Sequence, residues 1–248
     1  MTYCDFAEFY DILTEDVDYN LQAKYLTILL AENGMDSGIL LDLACGTARL
    51  SIPLSDAGFD VIAVDESQEM LSRARDNIEQ SGAKNIMLLN QSMQELDLYG
   101  TIDAAVCMLD SLNHLENIEQ VKQVISRVSL FMNINGIFIF DINTKYKHKE
   151  ILGDNTFVIE DENLYCVWQN DFYEEDYSVD ISLDFFYKTD GKYIRTSQQI
   201  SERAYDISEI SSILLQTGFE VLKIYDDMSK NSIKEKTQRA VFVARKVK

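Results

Sequence analysis

The chain has 248 residues, 46% of them hydrophobic, enough to bury one sizeable core with an elaboration. Twenty-two basic against 42 acidic side chains leave a formal charge of −20 and no basic cluster. That balance argues against DNA or RNA substrates, which need a cationic footprint for their phosphates, and favours a small neutral or cationic substrate.

Cys4, Cys45, Cys107 and Cys166 form no C-x-x-C and have no histidine at ligand spacing, so neither a zinc site nor a disulfide framework is expected. No apolar run approaches the ~18 residues of a membrane span, and Asp5, Glu8 and Asp11 give the N-terminus the wrong charge for a signal peptide. A reduced, soluble, cytoplasmic protein is the expectation.

Residues 1–36 hold two helical patterns. Tyr3, Phe6, Phe9, Tyr10 and Leu13 recur at spacings of three and four, and Tyr25, Leu26, Leu29 and Leu30 continue until Asn33-Gly34 stops them. Residues 39–43 then read as a buried strand, 44–48 as a small-residue turn, and 61–64 as a second buried strand ending in Asp65. The helix between them starts near Ser51, because Pro53, the only proline, is comfortable only in a first helical turn. Two apolar strands joined through a helix make a parallel βαβ unit. Its turn consists of Ala44, Cys45, Gly46 and Thr47, so backbone N–H groups at the helix start can approach a ligand closely. Asp65 lies 23 residues beyond Asp42, at a strand end where an acid accepts hydrogen bonds from both hydroxyls of a ribose. A nucleoside-containing ligand is the first expectation. A dinucleotide is disfavoured, since its pyrophosphate wants G-x-G-x-x-G and the loop supplies only Gly46.

Residues 66–80 form the next helix, with Met70, Leu71, Ala74 and Ile78 on its apolar face. A third strand at 86–89 leads into Gln91-Ser92-Met93, and a fourth at 102–109 leads into the segment 110–115. Open parallel sheets place ligands beyond strand carboxyl ends, so 110–115 should face the reacting group. His114, one of two histidines, could there take a proton or orient an acceptor; a packing histidine is the plain alternative. A helix over 119–132 and a fifth strand over 137–141 follow, with Asp141 and Asn143 at the carboxyl end. From 157 to 204 the period changes: Val179, Ile181, Leu183 and Phe185 alternate with polar residues, and Thr189-Asp190-Gly191-Lys192 is a hairpin turn. Three or four antiparallel strands are expected there. A helix over 208–216 and strands over 219–226 and 240–245 close the chain.

The stretch Asp42-Leu43-Ala44-Cys45-Gly46-Thr47-Ala48 resembles motif I of the class I S-adenosylmethionine-dependent methyltransferases, an acid-x-G-x-G-x-G pattern in which Ala44 and Ala48 replace glycines. S-x-x-M-L after Asp65, M-x-x-S-x-x-H-L from Met108 to Leu115, the F-A-x-x-Y-D-x-L start and the closing G-F-E-V are similar to bacterial small-molecule and amino-sugar N-methyltransferases. The resemblance implies an α/β fold: a Rossmann-like seven-stranded, mostly parallel sheet flanked by helices. It also implies an N-terminal helical cap (1–36), a cofactor core (37–150 and 205–248) and an inserted antiparallel lid (151–204).

It implies S-adenosyl-L-methionine as cofactor, with Asp42 and the Ala44, Cys45, Gly46 and Thr47 backbone at its methionine end, Asp65 at its ribose and Glu66 among the residues that bind it. Met70, Gln91, Ser92, Met93 and Leu109 would border it, and Tyr10, with Tyr19 less firmly, would close over it. His114 and Tyr10 are the candidate catalytic residues, and no metal is expected. The implied reaction is methyl transfer to nitrogen or oxygen of a small molecule, an amine or amino sugar among them, with the lid covering the substrate or forming a homodimer surface. A non-catalytic cofactor-binding protein and a nicotinamide-dependent oxidoreductase are the alternatives.

Overall fold

A computed structural model describes residues 6–162 and 164–248; the expectations placed on Tyr3, Cys4 and Asp5 lie outside them. Two helices, α1 (Phe6–Leu13) and α2 (Tyr19–Glu32), precede the alternation β1 (Gly38–Leu43), α3 (Ser51–Asp56), β2 (Phe59–Asp65), α4 (Gln68–Ser81), β3 (Ile86–Asn90), β4 (Ile102–Cys107), α5 (Ile118–Phe131) and β5 (Met132–Asn143). Four consecutive strands follow, β6 (Thr156–Glu160), β7 (Leu164–Tyr173), β8 (Ser178–Thr189) and β9 (Lys192–Arg203), then α6 (Ile207–Gln216), β10 (Phe219–Asp226) and β11 (Arg239–Lys246).

The main sheet runs β10-β11-β5-β4-β1-β2-β3. β1 to β5 are mutually parallel, and β11 enters antiparallel between β5 and β10. Strand order reverses between β1 and β4, and the crevice outside their carboxyl ends is where such a sheet takes a ligand. Side chains alternate across it: Leu41 and Leu43 belong to the core cluster that holds the buried residues of α5 and α6, while Leu40 belongs to the one that holds Leu26, Leu29 and Leu30 of α2 and Leu54 of α3. Both faces are covered by helices, which explains why the inner strands read as unbroken apolar runs.

The second sheet, β6-β7-β8-β9, is wholly antiparallel. Its hairpin turn holds Asp190 at φ 49° and Gly191 at φ 73°, the left-handed pair that a twisted two-residue turn requires. Val179, Ile181, Leu183 and Phe185 of β8 form its buried face with Phe9 of α1. Phe9 stacks on Phe185 at 4.5 Å between ring centroids, so the N-terminal helix and the inserted sheet pack on one another.

Most boundaries differ from the periodicity reading by a residue or two, and three of the differences have a local cause. α4 begins at Gln68 rather than 66, because the Ser67 side chain accepts the Met70 N–H and caps it. β4 ends at Cys107 rather than 109, because Leu109 and Asp110 turn left-handed, at φ 58° and 54°. β5 starts at Met132, directly after α5, with Asn135 at φ 69° taking up a shift in register against β4. Asp141 and Asn143 stand at the carboxyl end of β5, as expected, and both are buried. Among the described residues no helix is long and apolar enough to cross a membrane.

Candidate functional site

The loop from β1 to α3 alternates its backbone hand. Ala44, Gly46 and Ala48 all take positive φ, at 59°, 54° and 60°. These are the three glycine positions of motif I; the geometry that glycine adopts freely is held here twice by alanine at a cost of about 1–2 kcal/mol each. A Cβ on Gly46 would meet only Tyr10 Cε1, at 3.7 Å, so Tyr10 packs directly over the loop. Asp65, at the end of β2, accepts the Gly46 N–H at 2.8 Å on Oδ2 and the Ser67 N–H at 2.9 Å on Oδ1. Each oxygen keeps a further lone pair for a hydroxyl donor. Burial raises the Asp65 carboxyl, and the backbone N–H groups work against that rise.

Asp42 lies one strand away, fully enclosed, with the Ser51 hydroxyl donating to it at 2.5 Å. Burial pushes its carboxyl up to about 7 against the Ser51 bond, helped by the like charge of Asp65. The Thr47 hydroxyl donates to Asp11 of α1 at 2.6 Å, Arg73 of α4 donates to the same carboxylate at 3.1 Å, and Asn77 caps the Thr47 carbonyl at 3.0 Å. α1 is thereby fastened across the loop.

An open cleft results, lined by Tyr10, Tyr19, Asp42, Ala44, Cys45, Thr47, Arg49 and Leu109 among others. Sequence reasoning had brought together all of these except Arg49. Its guanidinium lies 4.6 Å over the Tyr19 ring and donates to the Asp11 carbonyl at 3.0 Å. The available signal was an arginine following the motif directly in a chain with few cations.

Other predicted residues sit further along β2 and β3. Glu66 is exposed, and its carbonyl takes a hydrogen bond from Asn90 at 2.8 Å, as does that of Asp65 at 3.0 Å. Met70 is half-buried in the first turn of α4. The Gln91 amide is engaged at both ends with the Asp97 backbone, at 3.0 and 2.9 Å. Ser92 caps the 3-10 turn Met93–Glu95, and Met93 packs on the α5 side of the core. Asn90, which sequence reasoning missed, thus ties the β2 and β3 ends together.

A polar cluster lies at the carboxyl ends of β4 and β5. The Asp141 carboxylate accepts the N–H groups of Leu109 (3.1 Å) and Asp110 (2.6 Å), and Arg239 of β11 bridges Asp141 (2.7 Å) to the Asp110 carboxylate (2.5 Å). Although burial alone would raise Asp110, the charges of Arg239, Lys147 and His114 hold it down to about 2. The 3-10 turn Ser111–His114 is pinned by Asn113, whose amide donates to the carbonyls of Asn143 (3.1 Å) and Arg203 (2.8 Å). That pin brings β9 to the turn, so exposed His114, half-buried Asp110 and buried Glu202 place ligand atoms within 4.8 Å of one another, a group sequence spacing did not anticipate. Asn143 donates to Glu202 at 2.9 Å and accepts from Lys147 at 2.8 Å. Burial, then the Arg239 charge, lower the Lys147 ammonium. Burial raises the Tyr10 phenol, and so do Tyr19, Asp110, Asp65 and Asp11.

Residues 40–136 match the family described as "Methyltransferase domain". The chain is 32% identical to the "Putative methyltransferase YqeM" of Bacillus subtilis (strain 168), over 100% of this chain and 98% of that one. Its fold superposes on an S-adenosylmethionine-dependent methyltransferase from Clostridium acetobutylicum ATCC 824 with a TM-score of 0.89 and 31% identity, covering 98% of both chains. The sugar N-methyltransferase KedS8 from Streptoalloteichus sp ATCC 53650 shares the fold at a TM-score of 0.80 and 17% identity, over 100% of this chain and 97% of that one. A bare left-handed loop, an acid at the next strand end and an open cleft between them fit S-adenosylmethionine, and with these likenesses the chain belongs to the class I S-adenosylmethionine-dependent methyltransferases.

Proposed function

We propose that the enzyme methylates a nitrogen or oxygen of a small molecule held beyond the carboxyl ends of β4 and β5. The observation that carries this reading is the position of Tyr10, which packs on the loop at Gly46 and lines one cleft with Ala44 and Thr47 of that loop and with Met108 and Leu109 after β4. The cleft therefore opens from the loop after β1 to the end of β4 beside one ring. α1 and the second sheet pack together beside it, and the charge of −20 speaks for a compact acceptor rather than a nucleic acid. In this reading residues 1–36 are a cap, 151–204 a lid, and the remainder the cofactor core.

The cofactor supplies an electrophilic methyl group on a sulfonium. Asp42, the Ala44, Cys45, Gly46 and Thr47 backbone and Arg49 hold its methionine end, Arg49 taking the carboxylate. Asp65 and Glu66 take the ribose; Met70, Gln91, Ser92, Met93 and Leu109 border the remainder, Gln91 with its backbone because its amide is engaged on Asp97. Tyr10 and His114 orient the acceptor. Holding an acceptor about 3 Å from a methyl carbon, in line with sulfur, contributes on the order of 7–11 kcal/mol, so catalysis rests on placement more than on one indispensable base.

Calorimetric titration with S-adenosylhomocysteine and, separately, NADH tests the cleft. Micromolar binding of the first alone is expected, followed by turnover on a panel of amines and alcohols; binding of NADH alone would restore the oxidoreductase alternative. Phe157, Val158 and Tyr165, exposed on or beside the edge strand β6, support a homodimer through the lid, which light scattering of the purified protein tests directly.

A further inference from the structure

We infer that Asp11 is a positioning residue that latches α1 over the cofactor loop, and that α1 ties this latch to the second sheet, so that cofactor exchange and movement of that sheet are one event. The inference rests on the methyltransferase reading above and adds how the cofactor cleft is opened and closed.

At about 3.6 residues per turn, Phe9, Ile12 and Leu13 fall on one side of α1, and Tyr10, Asp11 and the following Thr14 on the other. The first side belongs to the second sheet: Phe9 is 3% exposed and stacks on Phe185 of β8, and Ile12 and Leu13 pack on the same cluster. The second side belongs to the cofactor loop. Asp11 accepts the Thr47 hydroxyl on Oδ1 and the Arg73 guanidinium on Oδ2, at 2.6 and 3.1 Å, while Arg49 donates to the Asp11 carbonyl at 3.0 Å. One short helix thus holds the sheet with one side and the loop with the other.

Local preference does not put an acid there. Asp11 stands in the last turn of α1, where the helix dipole places partial negative charge, and the groups that offset this come from 36 and 62 residues away in the chain. Eight residues are also too few for a helix on its own, which in water takes about 12–15. α1 therefore keeps its shape only while docked, as an element with a docked and a released arrangement must. The two joints differ in how they part. Asp11 and Arg73, with side chains 15% and 40% exposed, can exchange each other for water, whereas parting Phe9 from β8 would expose a buried ring. The latch is the weaker joint, so α1 leaves the loop together with the second sheet.

The test follows S-adenosylhomocysteine binding to wild type, Asp11→Ala and Phe9→Leu, with rates from surface plasmon resonance and from stopped-flow emission of Trp168. Trp168 is the only tryptophan and packs on the cluster around Phe9, across α1 from the loop. In the wild type the ligand should change Trp168 emission. Asp11→Ala should raise the dissociation rate about tenfold, raise the association rate as well, and abolish the emission change. Phe9→Leu, altered only on the side facing the sheet, should shift both rates in the same direction. Asp11 is partly exposed, so Asp11→Ala carries the test even if Phe9→Leu folds poorly. Faster dissociation with unchanged association would reduce Asp11 to a structural support and overturn the latch. Unchanged rates in the folded variants, or wild-type emission indifferent to bound ligand, would overturn the inference and leave the methyltransferase reading intact. Failure of the wild type to bind S-adenosylhomocysteine would overturn that reading, and the latch with it.

Discussion

Arg239 and Asp141 meet at 2.7 Å across the boundary between β11 and β5, and the pair fixes the backbone that follows β4. The Asp141 carboxylate takes the N–H groups of Leu109 and Asp110, two consecutive left-handed residues that would otherwise be strained by about 1–2 kcal/mol each. Arg239→Met leaves two acids at that corner without their cation. A loss of about 3–5 kcal/mol in urea unfolding is expected, with partial recovery in the double variant carrying Asp141→Asn.

The alanines of the cofactor loop give an inverted substitution pattern. Ala44 sits at φ 59° and is only partly buried, so Ala44→Gly trades relief of backbone strain against chain entropy. A gain of about 0.5 kcal/mol is expected, where glycine in a regular strand loses about that much or more. Gly46→Ala, at φ 54° with room for its Cβ, should cost about 1 kcal/mol through the backbone alone. Thermal melts of the two proteins settle both signs.

Asp42 predicts a pH dependence. Its native carboxyl titrates near 7 against an ordinary 3.8, so between those values the folded state holds a proton that the unfolded state has lost. Stability therefore falls as pH rises from about 4 to 7, by up to about 4 kcal/mol for this one group at about 1.36 kcal/mol per unit. Asp42→Asn should flatten the urea midpoint between pH 5 and 8; an unchanged slope would show that Asp42 is ionised throughout.

Arg49 and Asp65 should separate by ligand. If Arg49 takes the methionine carboxylate, Arg49→Met weakens S-adenosylhomocysteine by about 10–100-fold and leaves adenosine untouched. Asp65→Ala should weaken both ligands about 100-fold, since each carries the ribose. Equal losses of both ligands in Arg49→Met would mean the arginine only supports α1 through Asp11 and Tyr19.

What was legible in the chain was local. Apolar runs around a small-residue turn located β1 and β2, the spacing from Asp42 to Asp65 located the acid at the end of β2, and alternation located the second sheet. What was not legible depends on contacts between distant residues. Arg239 is 98 residues from Asp141, and Asn113 reaches 90 residues to the Arg203 carbonyl, which sets Glu202 beside Asp110. No periodicity marks such pairs. Nor did residue type show that the Gln91 amide would turn back on the Asp97 backbone, or that β4 would end two residues early in a left-handed pair.

The most direct measurement is incubation of the purified protein with trideuteromethyl S-adenosylmethionine and a metabolite extract, followed by mass spectrometry of small-molecule and macromolecular fractions. A small-molecule methyltransferase places the label on a nitrogen or oxygen of a low-mass compound, and the Asp65→Ala protein does not. Label confined to protein or nucleic acid, or transferred equally by Asp65→Ala, would contradict it.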